Sequence, residues 1–172
     1  MKKIGIRTRG WIKGFHILFS ALWVGAAFCM MLLAFVKGHI TNGDELWVIN
    51  KSIKLIDDFI IIPSALGCLI TGIMFSTLTN WGFFKHNWIT IKYIITFTTI
   101  LFGTFFLGHW VNGMEAISAS DRLLSLQNPS YVHYAEMNKY FGTLQAVILA
   151  VTLFISVLKP WGKRVDKKKQ HH

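Results

Sequence analysis

Three ionisable side chains stand inside the long apolar stretches of this 172-residue chain: His16, Lys92 and His109. A charged or titratable group at membrane depth is costly, so each is by default a candidate for function. His16 lies about a turn inside the first stretch, and Ser20, Trp23 and Ala27 follow it at helical spacing on the same face. Trp23 stands away from the interfacial tryptophans; its indole N–H wants an acceptor, and its ring suits a flat ligand. Lys92 sits one turn into the third stretch, at the depth of His16. His109 closes the same stretch 17 residues later, about 25 Å along a helix. His39 and His133 belong near the same far boundary.

Imidazole is the usual axial ligand where haem is held between membrane helices, and two imidazoles on facing helices can bind iron from both sides. His109 is therefore a candidate iron ligand, with His39 and His133 as further candidates and Trp23 and Lys92 as cofactor contacts. The plainer alternatives are an interhelical hydrogen bond for His16, a snorkelling lysine for Lys92 and interfacial histidines elsewhere. Lys13, Lys92, Lys139 and Arg122 are candidate partners for haem propionates. No spacing matches H-E-x-x-H, and there is no phosphate loop, G-x-G-x-x-G, G-x-S-x-G or row of gating arginines.

The elements that must position these residues follow from composition. Hydrophobic residues make up 53% of the chain and charged ones only 15%, against about 25% in an ordinary soluble domain. Charge is missing from four runs, 15–36, 59–78, 88–110 and 140–158, each near the roughly 20 residues that cross a 30 Å hydrocarbon core. In lipid such runs must be helices, because every backbone polar group has to be paired within its own segment. The reading is one all-α membrane domain over 1–172: a polytopic four-helix bundle with spans about 15–36, 56–78, 88–113 and 136–158. Residues 37–55 form an outer loop with a turn at Thr41-Asn42-Gly43-Asp44, and a basic tail covers 159–172. Pro63 is expected to kink the second helix. Asp57 and Asp58 read as a solvated helix start, and Asn128-Pro129-Ser130 as a helix start within the second outer segment.

Thirteen of the 18 Lys and Arg fall before the first span, after the fourth, or beside the short turn between the second and third. The positive-inside rule then puts both termini in the cytoplasm. Trp11, Trp81, Trp88 and Trp161 at the inner boundary agree, as do Trp47 and Trp110 at the outer one. The net charge of +10 thus records topology and anionic lipid, with no nucleic acid as partner. Cys29 and Cys68 are expected to remain thiols in apolar sequence. The expected location is the cytoplasmic membrane of a bacterium.

The run Trp11-Ile12-Lys13-Gly14-Phe15-His16, with Trp23 and Gly25 beyond it, resembles the first helix of the bacterial haem-binding protoporphyrinogen oxidases. Trp88-Ile89-Thr90-Ile91-Lys92 is similar to their third helix. The resemblance implies a haem-ligand role for His16 and a role in activity for Lys92, the candidate catalytic residue. Leu22-Trp23-Val24-Gly25 is similar to copper-resistance membrane domains. With Pro63 to Gly72, the whole pattern resembles an uncharacterised family of four-helix integral membrane proteins related to both. Where the oxidases have an arginine late in helix 1, this chain has Met30-Met31-Leu32-Leu33.

Three functional readings follow. The first is a b-type haem protein with one or two haems that transfers electrons, with quinone as a candidate partner. The second is a haem-dependent protoporphyrinogen oxidase acting on a porphyrin precursor. The third is a copper or other metal-handling protein using Cys29, Met30, Met31, Cys68 and Met74 as soft ligands.

Overall fold

The computed structural model describes residues 5–79 and 82–160, and within them the chain is helical with no strand. Four continuous helical stretches, Ile6–His39, Gly43–Leu78, Asn87–Gln127 and Pro129–Leu158, are long and apolar enough to cross a membrane. The all-α polytopic fold is therefore as expected. Lys2, Lys3, Trp81, Trp161 and the basic tail beyond Pro160 lie outside the described residues.

The first stretch is α1 (Ile6–Val36), closed by a 3-10 turn at Lys37–His39. The second is not preceded by a loop over 37–55. Asn42 caps α2 (Gly43–Ile56), accepting from the N–H of Asp44 at 2.8 Å, and Asp44 and Glu45 in its first turn complement the helix dipole. The turn expected at Thr41–Asp44 is thus a helix N-terminus. A π-turn, Asp57–Ile61, joins α2 to α3 (Ile62–Leu78), with the Ile62 N–H bonded to the Asp57 carbonyl. Asp57 and Asp58 consequently lie mid-helix and not at a helix start. Pro63 has no N–H to give to the preceding turn, and the π-turn just before it is where the helix absorbs that loss.

The third stretch repeats the device. Here α4 (Asn87–Phe102) passes through a π-turn at Gly103–Leu107 into α5 (Gly108–Asp121), followed by a 3-10 segment at Arg122–Gln127. The last stretch, α6 (Pro129–Leu158), begins seven residues before the span expected from 136. Asn128 caps it through the N–H of Ser130 at 3.0 Å, with Pro129 in the first turn, as the sequence signal predicts.

The Gly43–Leu78 stretch has 36 residues and would reach about 54 Å, far more than a hydrocarbon core. The surplus forms a cap at the end remote from the termini, where α2, α5 and the start of α6 pack together. Leu46, Ile53, Val111, Met114 and Tyr131 are completely buried there. A smaller core at mid-span gathers Trp23, Ala65 and Leu149. Ile70, Ile94, Phe97, Phe105, Phe154 and Val157 face outward, as lipid-facing positions should. In the bundle α1 lies between α3 and α6. It meets α3 at Gly67, where a Cβ would fall 2.7 Å from the Phe19 ring.

Candidate functional site

Two cavities lie between the spans, one toward the end that carries the termini (the basic end) and one toward the cap.

The basic-end cavity measures about 480 Å³ and is lined by α1, α3, α4 and the end of α6. His16 forms one wall. Its Nδ1 lies 2.9 Å from Thr71 Oγ1. That hydroxyl has one proton, and two helix carbonyls compete for it, Gly67 O at 2.6 Å and Cys68 O at 3.1 Å. Thr71 must then accept from His16, so the imidazole proton sits on Nδ1 and Nε2 keeps a bare lone pair. Gly72 makes room for the ring: a Cβ there would be 3.7 Å from His16 Cε1 and from the Tyr93 hydroxyl. Phe75 meets the imidazole edge-on at 6.0 Å, and Tyr93 is held by Ser76 at 2.9 Å. Ser20 Oγ donates to the His16 carbonyl and lies 3.3 Å from Cys68 Sγ.

Arg9, Lys13, Lys92 and Lys159 line the same cavity, and no carboxylate does among the described residues. Lys159 lies over the Trp88 ring, 5.9 Å from its centroid. The result is an apolar slot with a bare imidazole nitrogen in its wall and four cations around it. Such a slot suits an amphiphile that carries carboxylates and has a centre able to take a nitrogen ligand.

The cap-side cavity measures about 560 Å³. Trp23 lines this cavity and not the one with His16 and Lys92, so the single interhelical space expected for all three is divided into two. Seven residues carry the helix about 10 Å further along its axis, which accounts for the separation. His109 also lines the cap-side cavity, with its ring 5.4 Å from that of Tyr134. His133 is exposed on the other side of Tyr134, and His39 is exposed in the 3-10 turn after α1. The outer histidines therefore share an end of the molecule, and among the described residues no three His, Cys, Asp or Glu side chains are grouped to hold a metal ion.

The expected propionate partners separate likewise. Lys13 and Lys92 border the His16 cavity, whereas Lys139 borders the cap-side one and lies over Phe35. Arg122 is engaged elsewhere, with Asp44 at 3.0 Å and the Trp47 ring at 4.4 Å. The soft ligands are also dispersed. Cys29 is exposed, Met30 and Met31 line the cap-side cavity, and Cys68 borders the other; both cysteines are free thiols.

Sequence reasoning missed Thr71, Arg9 and Tyr93, and it missed the amides of Asn138 and Gln145. The only signal for the last two was a pair of amides seven residues apart on one helix face, set into an otherwise apolar run.

Residues 11–160 match the model of a family described as "Predicted integral membrane protein (DUF2269)". The chain belongs to that family. It is thus an integral membrane protein with several spans, embedded in lipid. No curated protein matches it. No solved structure does either.

Proposed function

We propose that this family member is a b-type haem protein that transfers electrons in the cytoplasmic membrane of a bacterium, with His16 as an axial ligand. The observation that carries the reading is the His16–Thr71 contact: with the Thr71 hydroxyl donating to the Gly67 carbonyl, its oxygen is left to accept from Nδ1, which leaves Nε2 without a proton in a cavity ringed by cations. Ligand histidines are commonly held in this way, by a hydrogen bond from the other ring nitrogen. Arg9, Lys13, Lys92 and Lys159 would neutralise the two propionates. Haem, when bound, supplies the one-electron chemistry; the chain supplies the ligand, the cations and a low-dielectric wall that tunes potential.

The test is an absorption spectrum of the detergent-purified protein, oxidised and then reduced with dithionite, with a pyridine haemochrome count. Sharp reduced α and β bands at one haem per chain are expected, lost in His16→Ala and kept in His109→Ala. A count of two that falls to one in His109→Ala would place a second haem at the cap end. A full complement in both variants overturns the reading, and so does a colourless protein that takes up no added haemin.

A second reading rests on Lys92, which shares the cavity with His16. Its ammonium could hold a substrate carboxylate during oxidation of protoporphyrinogen to protoporphyrin. Complementation of a strain lacking that activity separates the two. Failure to rescue by folded, inserted protein removes the oxidase and leaves haem binding standing.

A further inference from the structure

The cap-side cavity contains polar groups that no hydrogen bond among the described residues satisfies. Asn138 and Gln145 are 7% and 9% exposed, line the cavity from α6, and make no hydrogen bond among the described residues. The Gln145 amide lies over the π-turn, with its Nε2 3.5 Å from where a Cβ of Gly103 would stand. Asp57 lines the same cavity from the π-turn before α3. Its carboxylate faces Gly108 at the other π-turn and forms no hydrogen bond among the described residues, while neighbouring Asp58 is paired with Lys54 at 2.8 Å. Trp23, 3% exposed, adds an indole N–H without an acceptor.

At membrane depth each such group costs free energy unless something fills its hydrogen-bonding capacity. Both helix irregularities of the bundle, the π-turns at Asp57–Ile61 and Gly103–Leu107, border this one cavity. π-turns collect at functional sites. The remaining wall is apolar, with Met30, Met31, Ile61 and Ile100, and the rim residues Leu66 and Phe105 are exposed on the lipid-facing surface. An occupant can therefore enter sideways from the bilayer.

We propose that this cavity binds the head of a membrane quinone. The occupant must be lipid-soluble and flat enough to lie among Trp23 and the methionines. It must also present more than one oxygen, because the cavity offers the amides of α6 and, from the π-turn before α3, a carboxylate. A quinone ring meets these conditions in both oxidation states. Its carbonyls accept from the Asn138 and Gln145 amide N–H groups, and the hydroxyls of the reduced form donate to Asp57. An acyl chain would leave all of these groups unsatisfied. The assignment rests on the redox reading and names its partner, but the site is separate from the His16 cavity and can fail by itself.

The experiment titrates the full-length protein in detergent with a benzoquinone bearing one isoprenoid unit, following tryptophan fluorescence, and repeats the titration against an excess of the same tail on an unsubstituted benzene ring as competitor. Saturable quenching that the plain ring does not displace is expected, at least tenfold weaker in Gln145→Leu and in Asn138→Leu. Trp23→Phe should lose part of the quenching, because Trp23 lines the cavity. Displacement of the quinone by the plain ring would show an acyl groove and overturn the site. Undiminished affinity in both amide variants, or no saturable binding at all, would overturn it as a water-filled cavity. Haem is counted in every sample: haem retained with quinone binding lost removes this site alone, and quinone binding in a protein without haem removes the haem reading alone.

Discussion

Thr71 determines which nitrogen of His16 is bare, and a single methyl tests that. Thr71→Val keeps the shape and removes the acceptor for the Nδ1 proton. The imidazole is then free to turn or to change tautomer, and haem affinity should fall about 10- to 100-fold, the usual range when such an outer hydrogen bond is lost. Haemin titration of the apo-protein reads it; an unchanged affinity would mean that Thr71 does not orient the ligand. At the cap, Lys37 is 8% exposed, and its ammonium donates to Asn50 Oδ1 at 3.2 Å and to Met114 Sδ at 3.0 Å. Asn50 Nδ2 in turn donates to the Tyr131 hydroxyl at 3.0 Å. No carboxylate joins this buried cation. Asn50→Asp would provide one at hydrogen-bond distance, where a buried unpaired charge is costly. Thermal unfolding should rise by about 2–4 °C for each kcal/mol gained, and a lower midpoint would show that the amide network is worth more than the ion pair. His16 and Lys92 were legible in the sequence because charge in an apolar run stands out. Asn50, Asn138 and Gln145 were not, because an uncharged amide has no titratable group to single it out, and whether its hydrogen bonds are filled is visible only in the packed structure.

At the scale of elements, the glycines that look alike in the sequence do different work. Gly25 belongs to the Leu22-Trp23-Val24-Gly25 turn, yet a Cβ there would meet nothing within 4 Å. Gly67 sits where α1 and α3 touch, and its missing Cβ is what lets Phe19 lie flat against the backbone. Gly25→Ala should therefore be neutral for haem content and unfolding temperature. Gly67→Leu should push α1 from α3, break the His16–Thr71 pair, and lower both. The comparison is made by measuring haem per chain and thermal unfolding on the two variants side by side; equal behaviour would mean that the seam is not what positions His16. The helices themselves were legible from charge-free runs and from caps such as Asn128. The π-turns were not. One residue over the helical repeat leaves no mark on composition, and Pro63 alone reads as a kink. The outer loop of 37–55 was misread for a related reason. With Asp44, Glu45, Lys51 and Lys54 on its surface, α2 is too polar to register as a span, and its burial against α5 becomes visible only in the packed cap.

For the whole molecule, the deepest packing lies outside the hydrocarbon layer. Apart from Ala146, the completely buried side chains, Leu46, Ile53, Met114 and Tyr131 among them, belong to the cap, while cavities lie between the spans. This division makes sense if the cap holds the helix ends rigidly in water and lipid supplies the lateral packing that the spans lack. Orientation follows from charge. Arg7, Arg9, Lys13 and Lys85 share the basic end, and the cap carries Asp44, Glu45, Asp121 and Glu136 among its own lysines. By the positive-inside rule the His16 cavity is expected nearer the cytoplasm and the cap outside it. Single cysteines at two exposed sites report this directly: Ser120→Cys on the cap and Arg7→Cys at the start of α1. In intact cells a membrane-impermeant maleimide should label Ser120→Cys and spare Arg7→Cys until the membrane is opened, with the parent chain as the control for Cys29 and Cys68. The opposite pattern would invert the molecule. His16, the proposed haem ligand, would then lie toward the outer surface.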